Sequence, residues 1–346
     1  MGTLLKQQFF GLDISDSAIR IVALGEQRSK TRPRPLKSLG YQELPSGIIS
    51  QGVIHHVDEL SRHLKLCIQG VRGKKIKRDW AVVSLPEAKS FVHTFTLPHP
   101  NNALSLETIN EGISKHIPYE IDELYFDWQP AETSSESSVI TVGAAPRNVI
   151  DQYLHALHGA DVAVLAFEPE TVAIGRTLDT ATRKNPIAIV DCGANRSTCS
   201  IIFGGCILLS ATIPFAGNTV TNDIANQLKI TSPEAEQLKV ACSTKETCPA
   251  PAATIIVKHR SALIQSVKKH LDLFATTQEK TVDALVLTGG SSALMDLRSE
   301  MEKSLGIPCS LLEPVQRINQ RGLALPTGKE LSFTTAIGLA LRSDIM

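Results

Sequence analysis

Carboxylates, hydroxyls and glycines gather at three points of this 346-residue chain, each just after a run of β-prone apolar residues. The first point is LDISDS at Leu12–Ser17, with Asp13, Ser15, Asp16 and Ser17. The second is VDCGANRS at Val190–Ser197, with Asp191, Gly193, Ala194, Asn195 and Arg196. The third is LTGGSSAL at Leu287–Leu294, with Gly289, Gly290 and Ser291. These residue types suit a phosphate and its magnesium ion. Glycine lets backbone N–H groups approach phosphate oxygens. Asp13 and Asp191 would hold Mg²⁺ through its waters, because that ion dehydrates reluctantly, and Arg196 would add a charge-assisted phosphate contact. Taken singly, each point is equally an ordinary corner, since Asp, Ser and Gly form turns for local reasons. In order, with 178 residues from Asp13 to Asp191 and 98 from there to Gly289, they point to a ligand site at strand ends.

The elements that must carry these turns can be read from hydrophobic period and turn residues. FFGLDI and AIRIV flank the first turn as a β-hairpin. PIAIVDC and STCSIIF repeat that arrangement around the second turn, so the chain reads as a duplicated, two-lobed α/β fold. Val57, Leu60, Leu64, Cys67, Ile68 and Val71 recur at helical spacing and predict one apolar helix face. Residues 90–163 alternate short strands and helices as a compact α+β insert, with a polar loop at 131–138. Residues 219–274 read as mostly helical, and SFTTAIGLALR as a small-residue closing helix. Two segments are basic: RSKTRPRPLK, read as a loop, and RGKKIKRD at 72–79, read as a solvated loop or, alternatively, a contact to acidic lipid heads or a partner.

Composition narrows the function classes. Lys plus Arg and Asp plus Glu each number 35, so the net charge is zero and bulk nucleic-acid binding is not expected. No apolar run approaches the roughly 18 residues of a membrane span. The start, MGTLLKQQFF, lacks signal-peptide character, and Lys6 spoils a myristoylation match. Seven cysteines without a C-x-x-C pair read as reduced core thiols of a cytoplasmic protein, with a metal or disulfide role as the alternative. His55 and His56 precede a helix and read as surface or capping residues.

The three turns together, AFEPETVAIGRTLD, LPSGIISQGVI and ISKHIPYEIDELYFDW make the sequence resemble the actin-like ATPase superfamily. Within it the chain resembles the PilM family of type IV pilus assembly proteins, relatives of FtsA, from about residue 8 to residue 342. The resemblance implies an actin-like (ribonuclease H-like) fold. Residues 1–89 and 164–185 would form the first lobe, and 90–163 its small FtsA/PilM-like insert subdomain. Residues 186–322 would form the second lobe, helical at about 219–274, and 323–346 a C-terminal helix returning to the first lobe. Gly338 would pack that helix tightly against the second phosphate-side element. The first two turns would be phosphate loops and the third an adenosine loop. Ser15 stands where the family usually has glycine, and Asp16 adds a carboxylate. Glu168 would orient a water near the γ-phosphate; alternatively its charge favours the first turn of the helix it precedes.

By the same resemblance, ATP and Mg²⁺ would sit in the cleft between the lobes, with at most weak ATPase activity. The protein would be a scaffold, cytoplasmic and peripheral at the inner membrane through its partners. Those partners would be the cytoplasmic N-terminal peptide of a PilN-type inner-membrane protein, other pilus assembly proteins and, because relatives polymerise, further copies of the chain. Residues 90–128 are where the peptide contacts are expected. Two other readings stay open. One is a nucleotide-free adaptor on the same fold. The other is a small-molecule kinase, for which Asp122, Glu123 and Asp127 read as a solvated acidic face rather than a general base.

Overall fold

The computed structural model describes residues 9–342 apart from 27–32, 77–79, 101–103, 134–136, 179–183, 245–247 and 321. The readings made on the first eight residues, and parts of the two basic segments and of the polar loop, lie outside the described residues. The chain divides into two compact units, one of Met1–Asp179, Gly205–Ile207 and Pro314–Met346, the other of Thr180–Gly204 and Leu208–Glu313.

The first unit begins with β1 (Phe9–Ile14) and β2 (Ala18–Leu24), followed by β3 (Arg34–Glu43), the short pair β4 (Ile49–Ser50) and β5 (Val53–Ile54), and α1 (Val57–Gln69). Next come β6 (Arg72–Gly73), β7 (Trp80–Leu85) and β8 (Phe91–Leu97), then α2 (Leu106–His116), β9 (Leu124–Thr133), β10 (Ser138–Pro146), α3 (Arg147–Gly159), β11 (Ala163–Pro169) and α4 (Glu170–Arg176). The second unit holds β12 (Ile187–Cys192), β13 (Ser197–Phe203), β14 (Cys206–Ile213) from Leu208 onward, α5 (Gly217–Leu228), α6 (Ser232–Thr244), α7 (Ala250–Gln278), β15 (Ala284–Thr288), α8 (Leu297–Leu305) and β16 (Cys309–Leu311). The chain then returns to the first unit with β17 (Ile318–Asn319) and α9 (Thr334–Ala340).

The two main sheets share one plan. The first runs β11-β7-β1-β2-β3-β17, with β6 also on β3; the second runs β16-β15-β12-β13-β14. Each is built on an antiparallel hairpin, β1 with β2 and β12 with β13, and each hairpin's first strand pairs in parallel with a later one, β7 or β15. Strand alternation then sorts the core. Phe10, Leu12 and Ile14 pack with Leu60, Leu64 and Cys67 of α1 and with Tyr153, Ala156 and Leu157 of α3. On β2, Val22 packs with Ala336, Ile337 and Ala340 of α9. In the second unit, Ala188, Val190, Cys199 and Ile201 pack with Val220, Ile224, Ile256, Leu263 and Val267 of the helices.

Close helix packing explains two glycines. A Cβ on Gly11 would strike the backbone of Ala336 and Ala340, so β1 is bare where α9 crosses it. A Cβ on Gly338 would strike the carbonyl of Ala173 in α4. The tight neighbour of Gly338 is therefore α4 of the first unit, not the second phosphate-side element expected from sequence.

The insert forms its own sheet, β8-β10-β9, with Phe95, Leu97, Leu124, Ile140 and Val142 packed on Ile109 and Ile113 of α2. Ser105 caps α2 by accepting the Thr108 N–H at 3.1 Å, worth about 1 kcal/mol. One expectation about cysteine is corrected. Cys242, at the end of α6, is disulfide-bonded to Cys248, with Cα atoms 4.7 Å apart. Cys67, Cys192, Cys199, Cys206 and Cys309 are free, and burial pushes the thiols of Cys67 and Cys199 up to about 12.

Candidate functional site

In the first unit the LDISDS turn spends its polar groups locally. Hairpin register sets Asp13 directly opposite Arg20, whose Nη1 donates to Asp13 Oδ2 at 2.9 Å. Ser15 closes the turn: its hydroxyl donates to the Ala18 carbonyl at 3.0 Å and accepts the Ala18 N–H at 3.2 Å. Asp16 reaches away, accepting the N–H groups of Gln51 at 2.8 Å and Gly52 at 3.0 Å. Those two residues are left-handed, with φ of 49° and 74°, so Asp16 clamps the strained bend between β4 and β5. The Ser17 carbonyl accepts the Leu44 N–H at 2.9 Å. Below the turn, the buried Ser84 hydroxyl accepts the Ile14 N–H at 2.9 Å and ties the end of β1 to β7.

Glu168 is the next-to-last residue of β11, beside Ser84 in the strand register. It is 5% exposed, and both of its carboxylate oxygens accept from guanidinium groups. Arg176 grips it with two N–H groups, one of them at 2.7 Å, and Arg342 donates from 3.2 Å. Arg176 also donates to the Gly338 carbonyl at 2.8 Å, so this carboxylate joins β11, α4 and α9.

The second unit brings its own turns together. Gly193 N–H donates to the Arg196 carbonyl at 3.0 Å, closing the VDCGANRS turn, and a Cβ at 193 would run into that carbonyl. The N-terminus of α5 docks on the turn: Gly217 N–H donates to the Gly193 carbonyl at 3.0 Å and Asn218 N–H to the Ala194 carbonyl at 2.8 Å. The Asn218 amide donates to Asn195 Oδ1 at 2.7 Å. The third turn closes in from β15. Ser291 Oγ lies 3.4 Å from the Gly193 carbonyl, and a Cβ on Gly217 would collide with that hydroxyl. Gly289, at φ 83°, leaves no room for a side chain between itself and the Asp191 carboxylate and Cys192 backbone. Asp191, Gly193, Ala194, Asn195, Gly289 and Ser291 are thus brought together by direct packing of the two turns, and a Cβ on Gly290 would meet open space. Ser197 Oγ, buried at the start of β13, has no hydrogen-bond partner among the described residues.

Several participants escaped the sequence reading. Arg20 was one apolar-strand cation among many; only hairpin register reveals that it faces Asp13. Gly217 and Asn218 lie before the stretch read as helical. Lys239 of α6 is buried and donates to the Gly217 carbonyl at 3.1 Å and to Thr221 Oγ1 at 2.9 Å, with Glu236 at 2.7 Å. An isolated Lys on an apolar helix face was the available signal.

Within the insert, the HIPYE segment straps β8. His116 stacks on Phe95 at 4.7 Å and lies 4.7 Å from the His93 ring, while Tyr119 meets Phe91 at 5.5 Å between centroids. Partial desolvation, then the neighbouring His116, lowers the His93 pKa.

Comparison with known families matches residues 11–344 to the type IV pilus assembly protein PilM family. The chain belongs to that family. The division protein FtsA of Pseudomonas aeruginosa is 33% identical over 153 residues, 36% of this chain and 36% of that relative. The FtsA of Buchnera aphidicola is 28% identical over 191 residues, 47% of this chain and 45% of its own. The chain thus spans less than half the length of the curated relatives it matches. A solved PilM-PilN type IV pilus biogenesis complex superposes with a TM-score of 0.82 at 20% identity, covering 97% of this chain and 98% of that one. MreB5 of Spiroplasma citri bound to AMPPNP superposes at 0.52 and 13% identity, covering 98% and 97%. The PilM-family chain accordingly has the actin-like ATPase fold with mixed α/β sheets, and its family is one of pilus assembly. Among its described residues, no helix is long and apolar enough to cross a membrane.

Proposed function

We propose that this PilM-family chain is an ATP-binding scaffold that holds the cytoplasmic N-terminal peptide of a PilN-type inner-membrane protein in a pilus or related secretion machine. The observation that carries the nucleotide half is the convergence of Asp191, the Gly193–Arg196 turn and Gly289–Ser291, packed against one another. Glycine at 193, 217 and 289 permits that close packing, since a Cβ at each would strike a neighbouring atom of these turns, and the buried Ser197 hydroxyl at the end of the second turn has no partner among the described residues. The donor set fits a phosphate and a magnesium ion held through water by Asp191, with Asn195 and Arg196 toward the phosphate. Bound Mg²⁺ would supply charge neutralisation for the polyphosphate. Asp13 contributes less to a cation, because Arg20 already opposes its charge.

Binding is proposed without rapid turnover. A carboxylate clamped by two arginines is poorly placed to orient a nucleophilic water, and Glu168 is so clamped. ATP therefore acts by favouring one conformation over another, to the extent that it binds them unequally. The support for the peptide half is the family itself and the fold match to a PilM-PilN complex. We place the peptide at the aromatic band of β8 and HIPYE, within residues 90–128.

Calorimetry of ATP with and without Mg²⁺, beside an Asp191→Ala variant, tests the reading. Mg²⁺-dependent binding that weakens roughly tenfold to a hundredfold in the variant is expected. No binding at millimolar ATP, with the peptide still bound, would instead make the chain a nucleotide-free adaptor, the reading favoured by the locally satisfied Asp13 and Asp16.

A further inference from the structure

The chain is neutral overall, yet two stretches carry no acid at all. Residues 27–42 and 60–78 contain no Asp or Glu and no Phe or Trp, and Tyr41 is their one tyrosine. Strand pairing brings the described parts of these stretches together. β6 runs antiparallel to β3, with Gly73 opposite Ser38 and Arg72 opposite Leu39. Lys74 N–H donates to the Lys37 carbonyl at 2.8 Å, and the Ser38 hydroxyl donates to the Lys74 carbonyl at 2.6 Å. A Cβ on Gly73, at φ 85°, would strike the Lys37 carbonyl, so the close approach of the two segments depends on glycine. The side chains of Lys37, Arg72, Lys74 and Lys75 are exposed. Among the described residues, no carboxylate pairs with Lys37, Arg72 or Lys75. Arg317, in the turn just before β17, lies one residue ahead of the Ile318–Arg34 pair.

Topology fixes where this cluster lies. β1 runs toward the Asp13 turn, β2 runs away from it, and β3 runs back toward it. Lys37 near the start of β3, Lys74 and Lys75 after β6, and Trp80 at the start of β7 therefore all lie at the end of the sheet opposite the LDISDS turn. A partner held at this end leaves that turn uncovered.

We propose that Lys37, Arg72, Lys74 and Lys75 form a docking surface for the anionic headgroups of a membrane. The proposal rests on the pilus-assembly reading only in expecting a membrane nearby. Four clustered cations are the number at which basic segments begin to hold acidic lipid, each strengthening partition about fivefold. A nucleic-acid partner is disfavoured because the cluster has no helix to enter a groove and Trp80, the aromatic residue placed at this end, is half-buried.

Flotation of the full chain with vesicles tests this without any partner protein. Binding is expected to phosphatidylglycerol–phosphatidylcholine vesicles, not to phosphatidylcholine alone, and to weaken as salt rises. The combined variant Lys37→Gln, Arg72→Gln, Lys75→Gln should partition about a hundredfold more weakly. Lys75 Nζ also caps the Gln69 and Val71 carbonyls, at 3.0 and 3.4 Å. If the triple variant melts abnormally, Lys37→Gln with Arg72→Gln decides instead, with about a twenty-five-fold loss. No flotation with anionic vesicles, undiminished flotation of the variants, or tighter binding to an oligothymidylate than to vesicles would overturn the proposal. Peptide binding measured in lipid-free solution reads the pilus-assembly proposal separately.

Discussion

Removing the Glu168 carboxylate would leave the guanidinium groups of Arg176 and Arg342 facing one another, with the Arg176 side chain only 10% exposed. Breaking a buried pair costs more than the pair is worth, because the surviving charge is stranded. Glu168→Ala should therefore lower stability by about 3 kcal/mol in urea unfolding. A loss below about 1 kcal/mol would mean that the network is worth no more than a surface pair. His93 gives a pH prediction. Its pKa lies below the ordinary 6.5, so below that value the unfolded chain takes up a proton that the folded insert resists. Stability is therefore complete above that value and is lost as pH falls beneath it. Melting curves at neutral pH and about pH 5 should diverge less in His93→Gln than in the natural protein. An equal divergence would remove His93 from the account. These residues also mark what sequence can reveal. The carboxylates and glycines of the turns stood out by type, whereas Arg20 beside Asp13 and the arginines around Glu168 are contacts made by register and by distant helices, which no local pattern records.

Helices and strands were legible where period and punctuation agreed. The hairpins around Asp13 and Asp191 followed from apolar runs broken by turn residues, and the helix expected from Val57 onward is α1, which buries Leu60, Leu64 and Cys67. The partner of an element was harder to read. Small residues in α9 announced close packing, but not that α4 would be the neighbour. The Cys242–Cys248 bond was missed for a similar reason: a gap of six residues between two helices resembles no standard motif. Gly338→Val tests the α4–α9 contact. Its side chain has nowhere to go except into the Ala173 carbonyl, so destabilisation of about 3 kcal/mol or more is expected from thermal unfolding. A variant melting within a degree or two of the natural protein would show that α9 rides further from α4.

At the scale of the whole chain, the duplicated sheet order was readable because each half opens with the same hairpin. For the first unit, resemblance alone led to the return of α9, while β17 at Ile318–Asn319 falls within the stretch read as second lobe; both come after the entire second unit. Val22 and Leu39 lose their cover if those pieces are missing. A chain ending at residue 313 should therefore bind hydrophobic dye and aggregate, rather than melt cooperatively. Soluble, cooperative melting of that truncation would show the first unit to be complete without them. The same order of assembly sets a clock during synthesis. Thr334, which opens α9, comes 165 residues after Pro169, which ends β11. At typical elongation rates, roughly 10–30 s pass before the ribosome delivers the helix that covers Gly11. Throughout that interval the nascent first unit presents an uncovered sheet face to the cell, so its yield in vivo should depend on chaperone supply more than its final stability suggests.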